Sequence, residues 1–274
     1  MPETFIANAR MYAVTPAVET AWRRLLTSVI DAAGLGDRIA YLPYPAPRPL
    51  EALWRRPDVG CVLMCGYPIA IGVAKVTPIA APIPRLAFAN GRAVYRSDLV
   101  VAAEGRFRTL EDTFGGTAGW TVAHSHSGFN AFRHHLLRYR TASRPTLYRR
   151  VVGDLVTARA ILDAVAQGQI DVGPLDAYWR ALIARDAPDL AARVRTVEST
   201  EAAPMPAFVA GPAVPPDAVA ALKGAFAAVS GDPRLTDVRD ILLLDGFASV
   251  DHTAFETTRR FEREALEAGY PTPA

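Results

Sequence analysis

The sequence predicts an α/β protein of two domains, each a mostly parallel sheet flanked by helices, and three observations predict it. Strand-like and helix-like segments alternate from the start, the pattern that parallel sheets produce. A chain of 274 residues, half of them hydrophobic, is long enough to build two modest cores. Near Ala93 the alternation is interrupted by a long strand and then restarts, which reads as a second α/β unit.

The first unit opens with a strand over Phe5 to Ala13 and a helix over Pro16 to Ala33, with Thr15 as N-cap and Pro16 at the first helical position. A strand over Arg38 to Tyr44 follows, then a proline-rich elbow (Pro43, Pro45, Pro47, Pro49), a short helix through Trp54, a buried strand over Gly60 to Cys65 and the loop Gly66-Tyr67-Pro68. Ala93 to Ala102 reads as one long strand, and Thr109 caps a short helix that ends at Gly115-Gly116. In the second unit the expected order is strand 120–124, helix 127–139, strand 148–153, helix 155–167, strand 172–175 and a long helix 176–194. A strand near 195–198, a crossover over Thr200 to Pro206 and a strand over Phe208 to Gly211 lead to three helices, about 215–229, 234–244 and 252–268. This gives a discontinuous first lobe, 1–98 plus 204–274, and a continuous second lobe, 99–203, joined by two crossing hinge strands.

Charge and motifs exclude several functions. Thirty Lys and Arg against 28 Asp and Glu leave too small a surplus for a nucleic-acid footprint. Apolar runs such as Val59 to Ile71 are broken by Gly, Pro or charge well short of the ~20 residues that cross a bilayer. The two cysteines, Cys61 and Cys65, would lie roughly 13 Å apart on one strand, beyond disulfide reach. They lack the partner ligands of a zinc site, so they read as buried hydrophobes. There is no G-x-S-x-G elbow, P-loop, G-x-G-x-x-G after the first strand or H-E-x-x-H motif. No catalytic residue, cofactor or metal is therefore assigned. The amino terminus, Met1 to Arg10, lacks a basic start, an apolar stretch and a small-residue cleavage site, which leaves open a cytoplasmic location or removal of a signal.

The order Tyr95-Arg96-Ser97-Asp98-Leu99-Val100-Val101, Thr109-Leu110-Glu111-Asp112, Trp120-Thr121-Val122-Ala123 and Ser125-His126-Ser127-Gly128 resembles the phosphate/phosphite/phosphonate-binding proteins of ABC transporters. In that family a crossing strand, a short helix and an S-x-S-G anion loop succeed one another. Gly168-Gln169-Ile170-Asp171-Val172 and Cys65-Gly66-Tyr67-Pro68 agree with further family segments. The resemblance spans about residues 60–211. It implies the type 2 periplasmic-binding fold, hinge closure over a small anion such as a phosphonate or phosphate, a periplasmic location and an ABC-transporter permease as partner. The chain is expected to be a monomer that binds no nucleic acid. The competing reading is a cytoplasmic enzyme of the same fold acting on a small anionic metabolite, or a ligand-sensing domain.

Physics gives the loop Ser125-His126-Ser127-Gly128 its own case. A helix N-terminus presents unpartnered N–H groups and a partial positive charge. Ser125 and Ser127 add hydroxyls, and Gly128 removes a side chain that would block an oxyanion. Capping by Ser125 or Ser127 is the structural alternative. His126 is expected to be more exposed than His124 and to contact the ligand; His134 and His135 are expected to face solvent or the interdomain surface. Ligands of open α/β sheets sit beyond the carboxyl ends of strands, which selects Tyr12 and Tyr67 as covering groups and Asp176 as a carboxylate, with an N-cap role as its alternative. The resemblance implies that Asp176 receives a ligand ammonium. The arginines between Arg133 and Arg150 are expected to form a solvated face.

Overall fold

The computed structural model describes residues 4–274, and the chain divides into two compact units. The first runs to Val94 and resumes over Pro204–Glu256; the second comprises Tyr95–Ala203 and Thr257–Ala274.

Chain order begins with β1 (Phe5–Asn8) and a 3-10 turn over Arg10–Tyr12, so the expected nine-residue strand is cut short. In α1 (Pro16–Ala32), Thr15 Oγ1 accepts the Val18 N–H at 3.3 Å. The helix buries Val18, Trp22, Leu25, Leu26 and Val29, a single apolar stripe at helical spacing. Next come β2 (Ile39–Tyr41), α2 (Leu50–Trp54), β3 (Val59–Met64), α3 (Gly66–Ala70) and β4 (Thr77–Pro84). A Cβ on Gly66 would lie 2.5 Å from Phe255 Cδ1, so glycine lets these two segments meet.

The second unit follows β5 (Val94–Tyr95) with β6 (Ser97–Ala102), β7 (Thr117–Gly119), α4 (Ala131–Leu136), β8 (Arg150–Val152), α5 (Ala158–Ala166), β9 (Gly173–Asp176), α6 (Ala177–Asp186), α7 (Pro188–Ala191), β10 (Val194–Ser199) and β11 (Ala203–Pro204). The chain then completes the first unit with β12 (Ala207–Ala210), α8 (Pro216–Ala228), α9 (Thr236–Ile241) and β13 (Leu244–Ser249), and ends in α10 (Glu256–Glu267). Among the described residues no helix is long and apolar enough to cross a membrane.

The sheets are mixed where mostly parallel ones were expected. In the first unit six strands form the order β13-β4-β12-β3-β1-β2. β1 pairs in parallel with β2 and β3, whereas β12 with β3 and β4, and β13 with β4, are antiparallel. The antiparallel pairings arise because β12 and β13 run opposite to β1, β2, β3 and β4; β4 and β13 were not expected as strands. Around Phe208 the core stacks aromatics: its ring centroid is 5.8 Å from Trp22 and 5.0 Å from Phe226. Each such buried ring contributes on the order of 2–3 kcal/mol by leaving water.

In the second unit β6 runs antiparallel between β10 and β9, and β7 pairs in parallel with β8. Its core gathers Leu99, Val101, Leu110, Phe132, Leu136, Val172 and Tyr270. The expected helix over 176–194 is broken because Pro188 disfavours helical geometry at Ala187, whose ψ is 65°. β5 and β11 pair as a two-stranded ladder where the chain passes between units.

The tail departs from the expected bounds. Residues 257–274 pack in the second unit, so the chain crosses a third time at Glu256–Thr257. The arginines expected to face solvent help to hold it. Arg133 is 4% exposed and donates from Nη1 to the Pro271 carbonyl at 2.8 Å. Arg140 donates to the Ala268 carbonyl at 2.8 Å and lies over the Tyr270 ring. His134, half-buried, bonds Glu264 and stacks on Phe261, while His135 is buried beside Glu198, so of the expected solvent or interdomain placement the solvent alternative fails for His135.

Candidate anion-binding site

Residues 126–139 form one continuous helical segment that starts as a π turn, His126–Asn130, continues as α4 and ends in a 3-10 turn. Ser125 is its N-cap: Oγ accepts the Gly128 N–H at 3.0 Å, and the carbonyl accepts the Asn130 N–H at 3.0 Å. Capping, the structural alternative for Ser125, is thus what its hydroxyl does. Ser127 differs. Its carbonyl accepts from Ser97 Oγ at 2.9 Å, but its own hydroxyl bonds no described residue. The first N–H groups of a helix have no acceptor within it, so the terminus offers the Ser127 hydroxyl beside the positive end of the peptide dipoles.

A second helix terminus stands nearby and is closed to anions. Asp176 ends β9, pairs in register with Ser97, and caps α6 by accepting the Tyr178 and Trp179 N–H groups at 2.8 and 3.1 Å. Its carboxylate places negative charge where an anion would sit. Of the two termini, the serine-capped one is therefore suited to an oxyanion.

The expectation for the histidines is reversed. His126 is 2% exposed, its ring centroid 5.9 Å from Tyr95 and 5.4 Å from Phe261, whereas His124 is only half-buried. The π turn rotates the His126 side chain into the core. The Asn130 amide lies 3.2 Å from Nδ1 and can only donate, because its other donor bond goes to the Thr258 carbonyl and its oxygen accepts from Arg133. The ring proton therefore sits on Nε2, which is buried and has no hydrogen-bond partner among the described residues. Burial, reinforced by His134, pushes the imidazole pKa down to about 3, so His126 is neutral.

Gly128 has a packing reason in addition to the expected one. A Cβ there would lie 2.0 Å from Thr121 Oγ1 and 2.9 Å from Ser125 Oγ. Internal packing, before any approach by an oxyanion, demands glycine. Thr121 itself was not singled out from the sequence, yet its Oγ1 is buried with no hydrogen-bond partner among the described residues.

Ser97 and Thr200 were also missed as site residues. The Ser97 N–H donates to Thr200 Oγ1 at 3.0 Å, and the Thr200 N–H returns a 2.9 Å bond to the Ser97 carbonyl. Next to them Asp98 accepts from Ser199 Oγ at 2.8 Å and pairs with Arg180 at 3.3 Å. Alternating Ser, Asp and Arg beside a crossing strand was the available signal.

In the first unit, Tyr12 and Tyr67 follow the carboxyl ends of the adjacent parallel strands β1 and β3. They are 1% and 4% exposed, so both are packed side chains. Asn8 closes β1 beside them, donating to the Leu42 carbonyl at 2.7 Å and accepting the Arg10 N–H at 2.8 Å. Cys61 and Cys65 are free thiols in the interior, and burial pushes the Cys61 thiol far above its usual range. No group of three or more His, Cys, Asp or Glu among the described residues is placed to hold a metal.

A family model described as the ABC transporter, phosphonate, periplasmic substrate-binding protein matches residues 16–255. The chain belongs to this family. Phosphonate-type substrate-binding proteins bind and deliver solutes and are not enzymes, which sets aside the enzyme alternative. No curated protein matches the chain.

Among solved structures, the binding-protein component of an ABC phosphonate transporter from Pseudomonas aeruginosa is 16% identical, with 97% of this chain and 88% of that chain covered and a TM-score of 0.78. PhnD1 from Prochlorococcus marinus in complex with methylphosphonate is 12% identical over 97% of this chain and 100% of that chain, TM-score 0.76. The aliphatic sulphonate binding protein SsuA from Escherichia coli is 13% identical over 100% of this chain and 91% of that chain, TM-score 0.58. These likenesses carry the fold, the type 2 periplasmic-binding architecture expected from the sequence. A shared fold does not by itself assign a ligand.

Proposed function

We propose that this phosphonate-family binding protein captures a small oxyanion, a phosphonate or phosphate, on the helix terminus at Ser125–Gly128 by hinge closure, and passes it to an ABC-transporter permease from the periplasm. The observation that carries the reading is the uncommitted Ser127 hydroxyl at a helix terminus free of a capping acid, while Asp176 fills the neighbouring one. Closure is driven by contacts available only in the closed form. Neutral His126 and capping Asp176 act from behind, by supporting the loop and α6.

Family membership supports the solute-binding part, and the Prochlorococcus protein's methylphosphonate complex supports the ligand class. Calorimetry with phosphate, methylphosphonate and 2-aminoethylphosphonate tests it. Heat and thermal stabilisation with at least one are expected; none with any of the three removes this ligand class. Because Asp176 is already engaged by two backbone N–H groups, the aminoalkyl ligand is expected to gain nothing over methylphosphonate.

A further inference from the structure

A strained turn stands beside the serine-capped helix terminus, wholly within the second unit. It links β8 to α5, and two of its residues have left-handed backbones, Asp154 at φ 55° and Val156 at φ 64°. Aspartate tolerates that conformation; a β-branched residue adopts it only under strain. Among the described residues Val156 is the one β-branched residue with a positive φ, and it is also 40% exposed. The other exposed large apolar side chains, Ile71 and Leu266, carry no such strain.

Backbone hydrogen bonds hold this turn to the residues that lead into the serine-capped terminus. The Leu155 N–H donates to the Trp120 carbonyl at 3.3 Å and the Val156 N–H to the Thr121 carbonyl at 3.2 Å, while the Thr121 N–H donates to the Gly128 carbonyl at 3.1 Å. The Trp120 ring fills the space between the two turns: a Cβ on Gly153 would lie 2.3 Å from it, and Phe129 of the π turn meets it edge-on. Only Thr121 therefore separates Val156 from the turn that carries Ser127. Thr121 is 7% exposed, and its Oγ1, without a hydrogen-bond partner among the described residues, lies where a Gly128 side chain would begin. A buried hydroxyl with nothing to bond and an exposed apolar side chain held under strain thus flank the same terminus.

Strained backbone concentrates at ligand-contacting positions, where the surroundings hold it in place. An exposed valine gains little from packing to offset that strain, whereas a solute that covers it supplies the apolar contact. We infer that Val156 is a specificity-determining residue. It meets the carbon substituent of a phosphonate whose oxyanion sits at the Ser127 terminus, so the site prefers a short alkyl group to a polar one of the same size. This rests on the oxyanion reading above and adds to it the side chain that reads the substituent.

The test is calorimetry on the full chain with phosphate and with an isosteric pair, ethylphosphonate and hydroxymethylphosphonate, which differ by a methyl in place of a hydroxyl. Ethylphosphonate is expected to bind roughly fourfold more tightly than hydroxymethylphosphonate, the worth of one methyl leaving water. Val156→Thr keeps the β-branched shape and the strain while making the surface polar, and Val156→Gly removes strain and side chain together. In both the ratio approaches one while phosphate affinity is unchanged, and the glycine variant melts above the unmodified protein. Equal affinities in the unmodified protein, a preference for hydroxymethylphosphonate, or a ratio that survives both substitutions overturns the role of Val156. Binding of phosphate and neither phosphonate also overturns it, and leaves oxyanion capture standing. Binding of none of the three removes the oxyanion reading itself, and Val156 with it.

Discussion

The Ser97 hydroxyl donates a 2.9 Å hydrogen bond to the carbonyl of Ser127, joining the first residue of β6 to the Ser125–Gly128 turn. Through its backbone, Ser97 also exchanges bonds with Thr200 on the returning crossing segment. One buried serine thus ties both crossing segments of the second unit to the turn that presents the Ser127 hydroxyl. Ser97→Ala is expected to cost about 1 kcal/mol of stability through the lost bond. It should also weaken oxyanion binding several-fold, since the loop loses its anchor, and Ser97→Thr should restore both. Chemical denaturation and calorimetry on the same preparations check it; full affinity in the alanine variant would disconnect the crossing segments from the loop.

The two loop serines should separate cleanly. Ser125 is the cap, so Ser125→Ala is expected to lower stability by about 1 kcal/mol. Ser127 has no internal partner for its hydroxyl, so Ser127→Ala should leave the melting temperature nearly unchanged and reduce affinity for the captured anion by roughly tenfold. Equal stability losses in the two variants would contradict this division of labour.

Gly128→Ala drives a methyl into Thr121 Oγ1, and overpacking of that kind costs about 1–3 kcal/mol. Adding Thr121→Ala removes the nearest obstacle, so the double variant should recover much of the loss. A double-mutant cycle by urea unfolding measures the coupling, which vanishes if glycine is needed there for backbone freedom instead.

The sequence exposed the site's backbone better than its side chains. Thr15 with Pro16, the buried run of β3 and the S-x-S-G loop at a helix start were legible because capping and hydrophobic pattern act locally. β4 escaped notice because Pro78, Pro82 and Pro84 argue against a central strand; its ladders to β12 and β13 shift register to accommodate them. β13 was hidden by Asp245-Gly246, which reads as a turn. The strand expected over 120–124 lies at Thr117–Gly119, and Trp120 instead packs edge-on against Phe129 at 4.9 Å. Burial of His126 depends on the π turn, and the docking of α10 depends on residues more than a hundred positions away. Neither leaves a local pattern to read.

The C-terminal segment should prove part of the second unit's core. Tyr270 is 3% exposed, belongs to the cluster of Leu99, Phe132 and Val172, and lies under Arg140 at 4.3 Å. Tyr270→Ala is expected to destabilise by about 3–5 kcal/mol, as for other buried aromatics. Hydrogen exchange should show the loss in β6, β7 and α4 first. If protection falls only in 257–274, the tail is an appendage and not a core element.

Acid sensitivity follows from His126. Its pKa is about 3 in the folded chain against about 6.5 unfolded. Between those values the unfolded chain binds a proton that the folded chain refuses, so stability falls as pH drops, by about 1.4 kcal/mol per pH unit. Above pH 6.5 both states carry neutral imidazole and this group contributes no slope. His126→Gln has no ionisable group at the position, so from pH 7 to pH 5 it should gain about 2 kcal/mol relative to the unmodified protein. Urea unfolding at the two pH values reads this directly. Parallel losses in both proteins would mean that the His126 ring takes up a proton in the native state, and that its buried Nε2 is reached by water.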